Sequence, residues 1–380
     1  MLLFTLLPIC FYIIDSVSSI KAIEDDAEVM EYIKYNFQNK SQANYLHIKY
    51  YTKGLNKTQL KNLYTSIQPL HFKTCVTFIR QNKTFNDAGF IFLNGTSNTV
   101  KINSTTNQTL IRFTDLCMTK LGCMRYHISL ALGLVSQVRR PDREKYITVN
   151  LTNVDKDKRY MFNISQKLPI HKTNFDFGSL MNPDPFKLSK EKLGKAYTAK
   201  RVPLYDKMLG QRKDFTFSDL RIINNYYCKK VHTLKWICKN GGYLDPFFKS
   251  CNCPRGFEGR YCEKYKKNYN KCSFQDRVAL TGSRSLSLKG KKECLYTIKA
   301  YRSSFKVKIT IDKVNTTKVF PCTPEEGLEI RYNEDKGTTG LSLCGEYKNV
   351  SLPGKSNLVY VIYNGKEGES FKITYKSVKS

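Results

Sequence analysis

The sequence predicts a multidomain chain of mixed α+β class. Three observations predict it. A length of 380 residues exceeds what one hydrophobic core ordinarily serves, so two or three units are expected. An early stretch places Leu60, Leu63 and Ile67 at helical spacing, and a late one alternates Phe305, Val307, Ile309 and Ile311 with Lys306, Lys308 and Thr310 at period two.

The chain opens on a short apolar run, Leu2 to Ile14, with Val17 and Ser19 at plausible cleavage positions, and residues 1–19 read as a signal peptide. The run is shorter than the roughly twenty residues a membrane span needs, and no later segment supplies one. Of thirteen cysteines, Cys10 leaves with that peptide and twelve remain, an even set that fits an oxidising compartment. N-x-S/T sequons at Asn39, Asn56, Asn82, Asn94, Asn103, Asn107, Asn150, Asn163, Asn315 and Asn349 fit secretion as well. The Leu60 stripe reads as a core-packed helix that starts near a cap at Thr58 and ends at Pro69. Ser218 reads as the cap of a second helix over SDLRIINNYY.

The most informative stretch is YHISLALGLVSQVRRPDRE, Tyr126 to Glu144. It resembles the zinc helix of the astacin metalloproteases, HExxHxxGxxHE followed by an RPDR-like run. Gly133 and the run Arg140, Pro141, Asp142, Arg143 fix the alignment. In that alignment the three histidine ligands fall on Tyr126, Leu130 and Ser136, the catalytic glutamate on His127, and the closing glutamate on Gln137. The family needs two imidazoles one helical turn apart, a third after the glycine turn, and a carboxylate to take a proton from metal-bound water. Sliding the register so that His127 becomes the first ligand puts Ala131 and Gln137 in the other places. A lone histidine on a helix is more often a packed residue than a ligand.

Further segments carry the same resemblance. FDFGSLMNPDPF, Phe175 to Phe186, is similar to the family's methionine turn; Met181 is kept, but the tyrosine that reaches the metal falls on Pro183 and the histidine before it on Asn182. TCVTFIRQ, Thr74 to Gln81, is similar to an early strand of that domain. Residues 20–42 form a short pro-like segment without the family's FxGD motif, and residues 43–228 form the astacin-like unit. The resemblance implies a Cys75–Cys228 bridge from its beginning to its end, and Cys117 and Cys123 are expected to pair with each other.

Residues 229–264, with CKNGGYLDPFFKSCNCPRGFEGRYC from Cys238 to Cys262, resemble an EGF-like module with four of its usual six cysteines, which implies Cys238–Cys251 and Cys253–Cys262. Zinc ligation by these four is the other reading, and an oxidising compartment favours disulfides. After a basic linker, residues 265–271, the segment 272–378 resembles a CUB domain, an antiparallel sandwich with bridges Cys272–Cys294 and Cys322–Cys344. Calcium binding is common in that module. Here Glu326 occupies the place of one aspartate with Glu329 nearby, SRSLSLKGKKEC offers no early acid, and the last loop has no aspartate.

The formal charge of +31 attracts anionic partners. Secretion and the lack of a nucleic-acid module exclude nucleic acid and leave sulfated glycans, other polyanions and extracellular proteins, the latter including active astacin relatives or their substrates. Along the sequence the lysines are dispersed. The reading is therefore a secreted binding or regulatory pseudoprotease with no cofactor. The alternatives are a zinc metalloendopeptidase with a non-standard metal site and a matrix component held by charge.

Overall fold

The computed structural model describes residues 20–22, 46–165, 173–190, 194–200, 202–228, 237–268 and 272–379. The signal-peptide reading and the sequon at Asn39 lie outside them.

The first lobe is a six-stranded sheet in the order β1-β5-β6-β4-β2-β3, formed by β1 (Ile20–Ala22), β2 (Leu46–Lys53), β3 (Val76–Arg80), β4 (Gly89–Asn94), β5 (Thr99–Asn103) and β6 (Gln108–Phe113). Strands β2, β3, β4 and β6 run parallel, while β5 is antiparallel to β6 and β1 antiparallel to β5. Helix α1 (Lys57–Lys73) buries Leu63, Ile67 and Leu70 against this lobe. Its cap is Asn56 rather than Thr58: Asn56 and Gln59 form a reciprocal capping box. The helix also runs through Pro69. Proline removes the N–H that would bond the carbonyl of Thr65, and the Arg125 guanidinium reaches that carbonyl at 3.4 Å instead.

Helices α2 (Asp115–Met118) and α3 (Leu121–Ala131) follow β6 and lead into a second lobe of little regular structure. That lobe holds a hairpin of β7 (Ile147–Val149) and β8 (Tyr197–Ala199) and closes on α4 (Phe217–Tyr227). Here too the cap differs from the expected Ser218. Thr216 bonds the amide of Asp219, whose carboxylate returns the bond, so Ser218 lies inside the first turn. The bridge Cys75–Cys228 fastens the end of α4 to the residue before β3.

A small module with two short antiparallel pairs comes next, β9 (Tyr243–Leu244) with β10 (Cys251–Asn252) and β11 (Phe257–Glu258) with β12 (Lys264–Tyr265). It is crossed by Cys238–Cys251 and Cys253–Cys262. Pairing of Tyr265 with Phe257 places that residue in the module rather than in a linker.

The last unit is a sandwich of two sheets. One has the order β13-β15-β20-β17-β18, from β13 (Asp276–Ala279), β15 (Lys292–Ala300), β17 (Gly327–Arg331), β18 (Leu341–Leu343) and β20 (Leu358–Gly365). The other has the order β14-β21-β16-β19, from β14 (Arg284–Lys289), β16 (Phe305–Asn315), β19 (Glu346–Leu352) and β21 (Ser370–Lys379). Val307, Ile309 and Ile311 on β16 face the sandwich core as their alternation predicts. Cys272–Cys294 and Cys322–Cys344 are closed.

The five-stranded sheet is covered on its outer side as well. Leu295, Tyr360 and Ile362 pack on Cys251, Phe257 and Cys262 of the small module. Elsewhere the second lobe and the sandwich share one apolar core that includes Phe177, Tyr205 and Met208 with Tyr332 and Leu341. The two acids considered for calcium are otherwise engaged, Glu329 with Arg331 at 2.7 Å and Glu326 with Lys366 at 2.8 Å.

Candidate functional site

Helix α3 ends where the sequence requires it to turn. Gly133 has φ +71°, the left-handed region that glycine enters without a Cβ penalty. The Gly133 amide bonds the carbonyl of Leu130, and the Leu134 amide that of Ser129, the two bonds of a Schellman stop. The chain then rises through Ser136 into a short helical turn at Gln137–Arg139.

The residues singled out in sequence fall on this helix and just past it. Tyr126 is half-buried. Leu130 packs against the first-lobe core. The Ser136 hydroxyl is buried without a hydrogen-bond partner. His127 Nδ1 lies 2.9 Å from the Cys123 carbonyl, and its ring meets the edge of Phe113. Burial pushes the imidazole pKa down, the Cys123 carbonyl opposes this, and the nearby Arg212 charge adds to it. Pro183 contributes its carbonyl to the Tyr197 hydroxyl at 2.5 Å.

The methionine turn is built from below by two buried carboxylates. Asp219 accepts from the Ser179 hydroxyl at 2.6 Å and the Leu180 amide at 3.0 Å. Asp176 accepts from the Gly178 amide at 2.9 Å and the Thr339 hydroxyl of the sandwich at 3.1 Å. Met181 is thereby held in the first-lobe core. Gln137 is buried and accepts from the Asp176 amide at 3.2 Å, tying the helical turn to the same loop.

One residue that sequence reasoning missed stands between these parts. The Arg212 guanidinium lies 4.2 Å from the Tyr126 ring centre and donates to the carbonyls of Leu180 and Asn182 at 2.5 and 2.7 Å. It thus bridges the helix and the methionine turn with a fixed positive charge. The run QRKDF gives no sign of this, because the contact depends on how the loop before α4 folds back.

Among the described residues, one group of three metal-ligating side chains comes together, Cys117, Cys123 and His127. Their sulfurs stand 4.0 and 3.9 Å from His127 Nδ1. The two sulfurs are bonded to each other, so neither is a thiolate.

Comparison with known proteins shows what the chain is similar to. The chain is 31% identical over 261 residues to the zinc metalloproteinase nas-34 of Caenorhabditis elegans, a match over 68% of this chain and 42% of that protein. It is 30% identical over 224 residues to the zinc metalloproteinase dpy-31 of the same organism, over 57% of this chain and 37% of that one. It therefore matches less than half the length of either. The solved structure of high choriolytic enzyme 1, a hatching-enzyme zinc protease from Oryzias latipes, is 20% identical with a TM-score of 0.45, over 52% of this chain and 96% of that one.

These relatives correct one expectation. The sequence reading calls for no cofactor, yet the proteins it matches are zinc metalloproteinases, and zinc is the cofactor to which the family points. The residues at the aligned places on α3 and just past it do not fit that ion. A zinc site takes about three nitrogen, sulfur or carboxylate ligands and an open position. Here a phenol, an alkyl chain and an alcohol occupy the aligned places, with a guanidinium stacked on the first. The family model for the astacin peptidases matches residues 35–228, about half of the sequence. The chain belongs to the astacin family.

Proposed function

We propose that this chain is a secreted, non-hydrolytic astacin that works by holding an extended segment of another extracellular protein. The observation that carries the reading is Arg212. Its guanidinium is anchored on two methionine-turn carbonyls and stacked on Tyr126, so a fixed positive charge stands beside the residue at the first aligned ligand place, which disfavours a second cation there. His127 in the base position has its Nδ1 on the Cys123 carbonyl, and Pro183 in the tyrosine position offers no hydroxyl.

The binding half of the reading is supported by the sheet edge. Strand β5 accepts the chain's own β1 as an antiparallel neighbour, with Ile20 opposite Asn103 and Ala22 opposite Lys101. An edge that takes up three residues of extended chain can take up a partner's strand in the same way. The EGF-like and CUB readings of the two later units, closed by two bridges each, fit an extracellular binding protein. Among the described residues no helix is long and apolar enough to cross a membrane. Partners in this reading are active astacin relatives or their substrates.

The test uses the full chain purified from a eukaryotic secretion system. A broad peptide library is incubated with it in the presence of added zinc, with and without chelator, and new termini are counted by mass spectrometry; the same library is then panned for binding. Retained extended peptides without new termini are expected. Chelator-sensitive cleavage overturns the non-hydrolytic reading, and an absence of retained peptides overturns the binding one.

A further inference from the structure

Lysines that are scattered in the sequence are gathered by strand register onto one face of the sandwich. Strand β16 supplies Lys308 and Lys313, β19 supplies Lys348, and β21 supplies Lys372 and Lys376. Lys308 lies directly opposite Lys376. Lys313 lies opposite Lys372 on one side and opposite Lys348 on the other, so three lysines form one row across three adjacent strands. A bulge between Ile311 and Lys313 turns Lys313 outward into this row. Between the two charged rows lie Ser351, Thr310, Thr374 and Ser285, again directly opposite one another across four strands.

This arrangement runs against sheet stability. Like charges directly opposite on neighbouring strands, about 4.8 Å apart, repel. Among the described residues none of these five lysines forms an ion pair. The acids nearby are committed: Glu334 pairs with Lys306 at 2.9 Å, and Asp312 accepts from the Thr374 hydroxyl at 2.8 Å. Glu346 stands one row beyond Lys348 on the same face, opposite Asn315, and among the described residues it forms no ion pair with these lysines. The inward side chains of these strands, Ile309, Ile311, Val314, Phe371, Ile373 and Tyr375, are fully buried. The face therefore cannot rotate its charges away.

Position decides what the face is for. The opposite sheet is buried against the small module and the second lobe, which turns the lysine-bearing sheet away from the rest of the described molecule. Lys313, Lys348, Lys372 and Lys376 are exposed on it. We infer that the outer face of β14-β21-β16-β19 is a docking surface for a sulfated polysaccharide chain. Repeated anionic groups satisfy the two lysine rows, and the Ser285, Thr310 and Ser351 hydroxyls between them donate to sulfate oxygens, the Thr374 hydroxyl being held by Asp312. A flat sheet face with charge spread along it suits an extended polyanion better than a compact anion, which needs convergent donors. The inference deepens the polyanion reading made from net charge, because it names a site, and it does not rest on the cleft.

The experiment compares the secreted protein with two fourfold variants of equal net charge. One changes Lys308, Lys313, Lys372 and Lys376 to glutamine; the other changes Lys57, Lys61, Lys120 and Lys249, all exposed and away from this face. Binding of a size-defined heparin fragment is measured against salt. The face variant is expected to lose affinity by at least about tenfold near physiological ionic strength and to show a shallower salt dependence, with a much smaller loss in the other variant. The face variant should also unfold at a higher temperature in low salt, since its cross-strand repulsion is gone, and heparin should raise the melting temperature of the wild-type chain only where the face is intact. Equal losses in both variants overturn the site in favour of net charge. Lysine-dependent binding to vesicles containing phosphatidylserine without binding to heparin overturns the polysaccharide in favour of a lipid surface. Peptide retention at the cleft is unaffected by either result, so failure here is separable from failure of the cleft reading.

Discussion

Asp176 and Asp219 show what a buried side chain can hold in place. Both are fully buried, and between them they bond the Ser179 hydroxyl and the Gly178 and Leu180 amides that shape the methionine turn. Burial, reinforced by the charge of Asp219, pushes Asp176 up to about 6, with the Thr339 and Gly178 bonds opposing. Asp219 is raised as well, by burial first. A carboxyl whose folded pKa exceeds its unfolded one binds its proton more tightly in the native state. Stability then falls as pH rises from about 4 to 6, and the contribution is gone above that window. Two units correspond to about 2–3 kcal/mol. Asp176→Asn keeps an acceptor for the Gly178 amide and turns an amide N–H toward the Thr339 hydroxyl, which then accepts where it donated before, and it should flatten the denaturation free energy across pH 4 to 6; an unchanged slope would place the titration elsewhere.

At the scale of elements, α3 depends on how it stops. Gly133→Ala puts a Cβ at φ +71°, which costs about 1–2 kcal/mol, and the cost should appear as a lower urea midpoint with an unchanged slope. A midpoint equal to the wild type would mean that the turn relaxes. Periodicity made the interiors of these elements legible: Leu63 and Ile67 face the core of α1, and Val307, Ile309 and Ile311 face the core of the sandwich. Ends were less legible. Asn56 and Thr216 outcompete Thr58 and Ser218 because a capping box needs a partner three residues on, Gln59 and Asp219, and only those pairs supply it. Pro69 fails to end α1 because a guanidinium from α3 bonds the carbonyl it frees, a tertiary contact with no local trace. The candidate site divides in the same way. Tyr126, His127 and Leu130 share one helix and were readable together, whereas Arg212 comes from a loop more than eighty residues later.

At the scale of the molecule, one arginine joins three units. Arg221 on α4 donates to the Gly241 carbonyl of the small module at 2.8 Å and to both oxygens of Asp335 in the sandwich at 2.8 and 2.6 Å. Burial acts to raise Asp335, but the bonds and charge of Arg221 outweigh it and hold the carboxyl below its usual range. The Asn174 amide, beside the methionine turn, lies 3.5 Å from the same carboxylate. Removing one partner of a buried pair strands the other charge, at about 3–5 kcal/mol. The bridge Cys75–Cys228 acts on the first two lobes alone. It spans 153 residues, and a loop of that length restricts the unfolded chain by about 5 kcal/mol in the entropy model.

The two devices predict different failures. Replacing Cys75 and Cys228 with alanine should lower the melting temperature of the whole body without splitting its transition, because the bridge acts on the unfolded chain and leaves the junction with the sandwich intact. Arg221→Met should instead uncouple the units. The shared apolar core and the Arg221–Asp335 pair bind second lobe and sandwich into one body, so calorimetry of the intact protein should give a single transition, and the variant should give two, with Asp335→Asn in the same chain recovering part of the coupling because no charge is left unpaired. Two transitions already present in the wild type would mean that the junction is too weak for the sandwich to support the methionine turn through Thr339, and Arg221 would then matter to docking alone.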